Sequence, residues 1–128
     1  MKRTIFSLFI ALLSLAAFAG GTSKIVFTDP VYDFGNVKEN GGIVSHEFVV
    51  KNTGKAPLII KSARASCGCT VPEIPKEPIM PGKTAVVKVS YDPKGRPGEF
   101  EKSIQVKSNA SSPRTTLKIK GVVIPSSK

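Results

Sequence analysis

The chain has 128 residues, with 19 Lys and Arg against 9 Asp and Glu for a net charge of +10, two cysteines, one histidine and no tryptophan. That length suits one domain, and 41% hydrophobic with 22% charged residues excludes both a polytopic membrane protein and a disordered charged tail. The first segment stands apart from the rest. Lys2 and Arg3 open it, Ile5 to Ala19 is almost wholly apolar, and Ala17-Phe18-Ala19 is a small-x-small cleavage site. Residues 1–19 therefore read as a secretory signal peptide, too short and too interrupted by Ser7 and Ser14 for a membrane anchor. Cleavage after Ala19 takes the net charge from +10 to +8 and leaves residues 20–128 as one domain with no membrane span. The expected location is an oxidising compartment outside the cytoplasm, periplasmic or fully extracellular.

From Lys24 onward no apolar pattern of helical period lasts more than a turn, while two-residue alternation recurs between turn signals. Lys24 to Phe27 and Val31 to Phe34 read as one edge split by Asp29-Pro30. Gly41-Gly42 then turns the chain into a strand from Ile43 to Asn52, with Val44, His46, Phe48 and Val50 on one face. After Asn52-Thr53-Gly54, Pro57 opens a strand that turns Leu58 and Ile60 inward. Pro72, Pro75, Pro78 and Pro81 make Val71 to Gly82 a poor sheet centre, so this stretch is expected to cross between sheets. Lys83 to Tyr91, Glu99 to Ser108 and Thr115 to Val123 complete the set. Asp92-Pro93-Lys94-Gly95 is a turn whose proline presets φ and whose glycine accepts a positive one. About seven short strands with regular turns give an all-β, immunoglobulin-like antiparallel sandwich. The long proline-rich stretch argues against an up-and-down barrel.

Tyr32-Asp33-Phe34-Gly35, His46-x-Phe48, Asn52-x-Gly54, Pro57-Leu58, Ser66-Cys67-Gly68-Cys69-Thr70-Val71-Pro72, Pro81-Gly82-Lys83, Gly98-x-Phe100-x-Lys102 and Ser108-Asn109 resemble the bacterial domain-of-unknown-function 1573 family, DUF1573. The resemblance spans Lys24 to Pro125. It implies an exported immunoglobulin-like domain, similar to the sperm-protein and Hydin-type sandwiches that serve as interaction modules, and it supplies no established activity.

Cys67 and Cys69 are the only thiols, one residue apart. In a fully extended strand such residues lie roughly 6.6 Å apart on one face, near the upper limit for a disulfide. Their default role is a structural corner, packed as small apolar side chains or closed as a local disulfide. A reactive thiol pair is a second reading, with Arg64 as the nearby cation. A copper site is a third, in which Cys67 and Cys69 are joined by Met80 or His46. Zinc finds too few ligands unless Glu73, Glu77 or a second molecule contributes.

His46 lies on the apolar parity of its strand, and adjacent Ser45 points to the other face, so the two do not form a nucleophile and base pair. No nucleophile elbow, zincin motif or P-loop is present, and no catalytic residue is assigned.

The strands near 58–65, 99–108 and 115–123 are expected to share a sheet whose outer face carries Lys61, Lys107, Lys118 and Lys120. Lys94 and Arg96 stand in an exposed loop. These cations are the candidate surface for an anionic envelope component or a protein. Nucleic acid is a poor fit because the aromatics fall on buried parity and form no stacking platform. The sequence thus points to an exported, non-enzymatic interaction module, with thiol or copper handling through Cys-Gly-Cys as the alternative.

Overall fold

The computed structural model describes residues 21–126; the signal peptide expected over residues 1–19 lies outside them. Eight strands follow one another: β1 (Ile25–Phe27), β2 (Val31–Lys38), β3 (Val44–Asn52), β4 (Ile60–Ala65), β5 (Thr70–Glu73), β6 (Thr84–Tyr91), β7 (Gly98–Ser108) and β8 (Arg114–Ile124). They form two four-stranded sheets, ordered β1-β3-β6-β5 and β2-β8-β7-β4. This is the expected immunoglobulin-like sandwich. Alternation supplies its core. Phe48 and Val50 of β3 and Val87, Val89 and Tyr91 of β6 face Ile104 and Val106 of β7 and Leu117, Ile119 and Val123 of β8, all essentially without solvent contact. Each such side chain contributes about 1.5–3 kcal/mol relative to exposure.

Two expectations about topology change. The segments before and after Asp29-Pro30 are not one edge, because β1 pairs with β3 whereas β2 joins the other sheet, parallel to β8. The bend at Asp29-Pro30 carries the chain between sheets, and Pro30 O accepts the first rung from Lys118 N–H (2.9 Å). The proline-rich stretch does not make the next crossing either. Thr70–Glu73 is itself an edge strand, β5, paired with β6, and it brings the count from the seven expected to eight. Pro72 is compatible with that place because an edge strand leaves every second backbone position free of ladder bonds. The chain passes from β4 to β5 within residues 66–69, at Cys67-Gly68-Cys69.

At the opposite end, the crossing from β3 to β4 is held by two asparagines. Asn52 has no solvent exposure. Its Nδ2 donates to Ala56 O (2.7 Å) and Ile79 O (2.9 Å), while its Oδ1 accepts from Gly54 N–H (2.9 Å) and Lys24 N–H (3.3 Å). Gly54 is required there, since a Cβ would fall on the backbone of residues 22–24. Asn109 holds the far side of the same crossing. Its Oδ1 accepts from Ile59 N–H (2.8 Å) and its Nδ2 donates to Pro57 O (3.1 Å). Between them Leu58 and Ile79 exchange two backbone bonds of 2.8 Å.

Replacing Asn52 with Ala strands four backbone groups at once. Asn52→Ala is expected to lower unfolding free energy by roughly 2–4 kcal/mol, read as a lower urea midpoint at unchanged slope. A loss under about 0.5 kcal/mol would mean that water replaces the amide at no cost.

Candidate functional site

The corner begins at the last rung of β4, where Ser66 N–H donates to Ser103 O (2.9 Å). Cys67 and Cys69 are joined by a disulfide across a turn in which Thr70 N–H donates to Cys67 O (3.2 Å). That turn brings the two Cα atoms to 5.2 Å, inside the range that full extension would strain. Cys69 is buried against the core, and Cys67 is partly exposed. Asp92 N–H donates to Cys69 O (3.0 Å), tying the corner to the loop between β6 and β7.

In that loop Asp92 Oδ1 accepts from Lys94 N–H (3.1 Å), Pro93 O accepts from Arg96 N–H (3.1 Å), and Gly95 has φ of 71°. The turn therefore presents Lys94 and Arg96 beside Cys69. A groove of about 250 Å³ results, lined by Ile43, Gly68, Cys69, Val71, Ser90, Asp92, Lys94 and Arg96. Ile43 (68% exposed) and Val71 (55%) offer apolar surface to solvent. Burial pushes the Tyr91 phenol upward in pKa, and the charge of nearby Arg96 opposes that shift.

The other residues singled out in the sequence are distributed differently. His46 is not near the cysteines. It pairs with Val89 on β6, which pairs with Pro72 on β5, so two strand spacings separate it from β5, roughly 10 Å of backbone. Its ring stacks on Tyr32 of the facing sheet at 3.6 Å between centroids and meets Phe48 edge-on at 4.7 Å. Met80 is exposed in the turn before β6, where its carbonyl accepts from Lys83 N–H (3.0 Å). The length of β6, roughly 23 Å, lies between that turn and the corner. The structure thus does not gather Cys67, Cys69, Met80 and His46 into one ligand set. Among the described residues no three His, Cys, Asp or Glu side chains form a metal-holding group. Arg64, expected beside the thiols, projects from the outer face of β4, and Lys94 and Arg96 take its place.

β4, β7, β8 and β2 do share a sheet, but its outer face is divided by charge. Lys118 binds Glu101 (3.3 Å), and Lys120 sits in register between Glu101 and Asp33. The unopposed half is Lys61, Arg64, Lys107 and Arg114, the last pair directly opposite each other. Arg114 was missed because only the β7–β8 register places it there. Ile43 carried a readable signal, as an apolar residue on the outward parity of the strand expected from Ile43 to Asn52, whereas Val71 did not, because its strand was read as a crossing.

Comparison with known proteins agrees with the fold. The family described as a protein of unknown function, DUF1573, matches residues 25–123. A Porphyromonas gingivalis W83 protein of unknown function is similar over 80% of this chain and 47% of its own, at 17% identity and a TM-score of 0.66. The Vibrio cholerae VesB protease is similar over 80% of this chain and 32% of its own, at 16% identity and a TM-score of 0.62. PapD-like domain 7 of human CEP192 is similar over 83% of this chain and 89% of its own, at 15% identity and a TM-score of 0.60. The chain thus spans about half of the first of these and a third of the second. No curated protein matches the sequence.

The disulfide closes a very short loop, so Cys67→Ser with Cys69→Ser is expected to lower stability by only about 1–2 kcal/mol. Chemical denaturation of the oxidised parent and the double variant measures this. Desolvation pushes the His46 pKa down, against the weaker pull of Asp29 and Glu47. The folded state therefore binds that proton less readily than the unfolded chain. Its stabilising contribution is present above the unfolded value of about 6.5 and is lost as pH falls from there through the lower folded value. Denaturation midpoints between about pH 7 and pH 5 should fall, and His46→Phe should flatten that slope.

Proposed function

The chain belongs to the DUF1573 family, and we propose that it is an exported, non-catalytic binding module that holds a partner protein in the groove beside Cys67 and Cys69. One observation carries this reading. Two features far apart in sequence, the Cys-Gly-Cys corner and the loop bearing Lys94 and Arg96, line a single groove with exposed Ile43 and Val71. Apolar surface bordered by two cations suits a segment in which an apolar side chain neighbours a carboxylate. The disulfide fixes the backbone at one wall and the Asp92 turn fixes the other, so little ordering accompanies binding. The basic, apolar and small-residue opening of the sequence supports export, as does a disulfide that persists in oxidising compartments.

A photo-crosslinking residue at position 71, in protein exported by its own host, tests the reading. The expected result is a discrete protein adduct whose yield falls at least about fivefold in Lys94→Glu with Arg96→Glu and survives in the double Cys→Ser variant. An adduct indifferent to both charge reversals would overturn the groove. Adducts lost in a folded Cys→Ser variant would move the function to thiol chemistry.

A further inference from the structure

Among the described residues four strands lie at sheet edges, and the two joined by the disulfide corner have opposite character. On β5, Asp92 N–H donates to Cys69 O, so the antiparallel alternation directs the backbone groups of Val71 and Glu73 to β6 and those of Thr70 and Pro72 away from it. Thr70 N–H is already bonded to Cys67 O, and Pro72 has no N–H. The β5 edge therefore offers no backbone donor at either position. On β4, Ser66 N–H donates to Ser103 O, so Ser62 and Arg64 face β7, and Ala63 and Ala65 turn both N–H and C=O to the free edge. No strand among the described residues pairs with that edge.

The side chains around the β4 edge state what it selects. Lys61 and Arg64 on β4 itself, Lys107 one strand in and Arg114 beyond it are all exposed, and none of the four forms an ion pair among the described residues. Ala63 and Ala65 point the other way, partly buried against the core. We infer that β4 accepts an additional strand from a partner protein, an extended segment alternating acidic with small apolar residues. Its backbone pairs with Ala63 and Ala65 at the usual spacing of about 4.8 Å. Its carboxylates lie on the Arg64 side, to which the register shift between Ile60 and Ser62 also turns Lys61, and its apolar residues lie beside the two alanines. A second copy of this chain does not fit, because β4 laid along β4 sets Lys61 and Arg64 against the same cations. This surface lies on the sheet opposite the one that carries Val71 and Ser90, and its test is independent of the groove.

The probe is a synthetic, end-blocked peptide alternating Glu with Val, added to the isotopically labelled folded domain. Amide exchange at Ala63 and Ala65 is expected to slow at least about tenfold at saturation, with binding weakened by added salt. Arg64→Glu with Lys107→Glu should abolish the protection, and the same variant should bind the Lys-for-Glu peptide. A peptide methylated on the backbone nitrogens that face β4 should also fail, which tests strand pairing without altering the protein. Ala63→Pro removes an outward donor and spares the β7 ladder, a companion test from the protein side. Binding that leaves both amides unprotected would overturn the inference. So would binding of vesicles rich in anionic phospholipid through the same cations with no response to the peptide.

Discussion

The arrangement of the two sheets depends on the side-chain amide of Asn52. Folding must carry the chain from β3 in one sheet to β4 in the other, and such a passage strips water from backbone groups that no ladder can satisfy. Asn52 supplies two donors and an acceptor with two lone pairs, and all four capacities are used, on Ala56, Ile79, Gly54 and Lys24. Three segments distant in sequence converge on one side chain. Aspartate has no donors for the two carbonyls, and leucine offers nothing to the two N–H groups. Glycine at 54 follows from the same constraint, because the segment that supplies Lys24 passes directly over it.

The second passage, from β4 to β5, solves the same problem at the other end of the sandwich by different means. Here the chain has only residues 66–69 in which to change sheets, too few to recruit an asparagine bracket. A turn bond from Thr70 to Cys67 and a covalent link between Cys67 and Cys69 define it instead. Gly68 meets nothing within 4 Å of where a Cβ would be and its φ is not positive, so the motif does not depend on crowding at that residue. What the corner fixes is the position of Cys69, whose carbonyl anchors the Asp92 turn. The groove is thus a by-product of how the chain changes sheets.

Local signals carried the strands, and non-local ones carried what was missed. Parity along Val44 to Val50, Ala85 to Tyr91 and Leu117 to Val123 is written within each segment, so inward and outward residues were legible. The partner of β2 was not, because Val31 pairs with Lys118, far away in the sequence. Pro72 was rightly read as unsuited to a sheet centre, but the stretch it opens was then taken for a crossing, when the same missing donor is compatible with an edge strand. The lysine face was legible as a face. Its division was not, since Lys118 is neutralised by a carboxylate on β7 that only register brings within 3.3 Å. For the same reason Lys94 and Arg96 appeared as an exposed loop, and their meeting with Cys69 emerged only from the order β3-β6-β5.

A sandwich of open sheets must keep its edges from pairing with the wrong chains, and this one treats each edge differently. β1 is three residues long, β2 is interrupted where its register shifts at Asp33 and Asn36, and β5 lacks outward donors. Each of those devices acts on the backbone and works against every partner alike. β4 instead keeps its outward N–H and C=O groups and relies on Lys61 and Arg64, a protection that is purely electrostatic. Repulsion of that kind changes sign with the charge of the approaching strand. The edge that resists a second copy of this chain is therefore the one edge whose resistance an acidic strand converts into attraction.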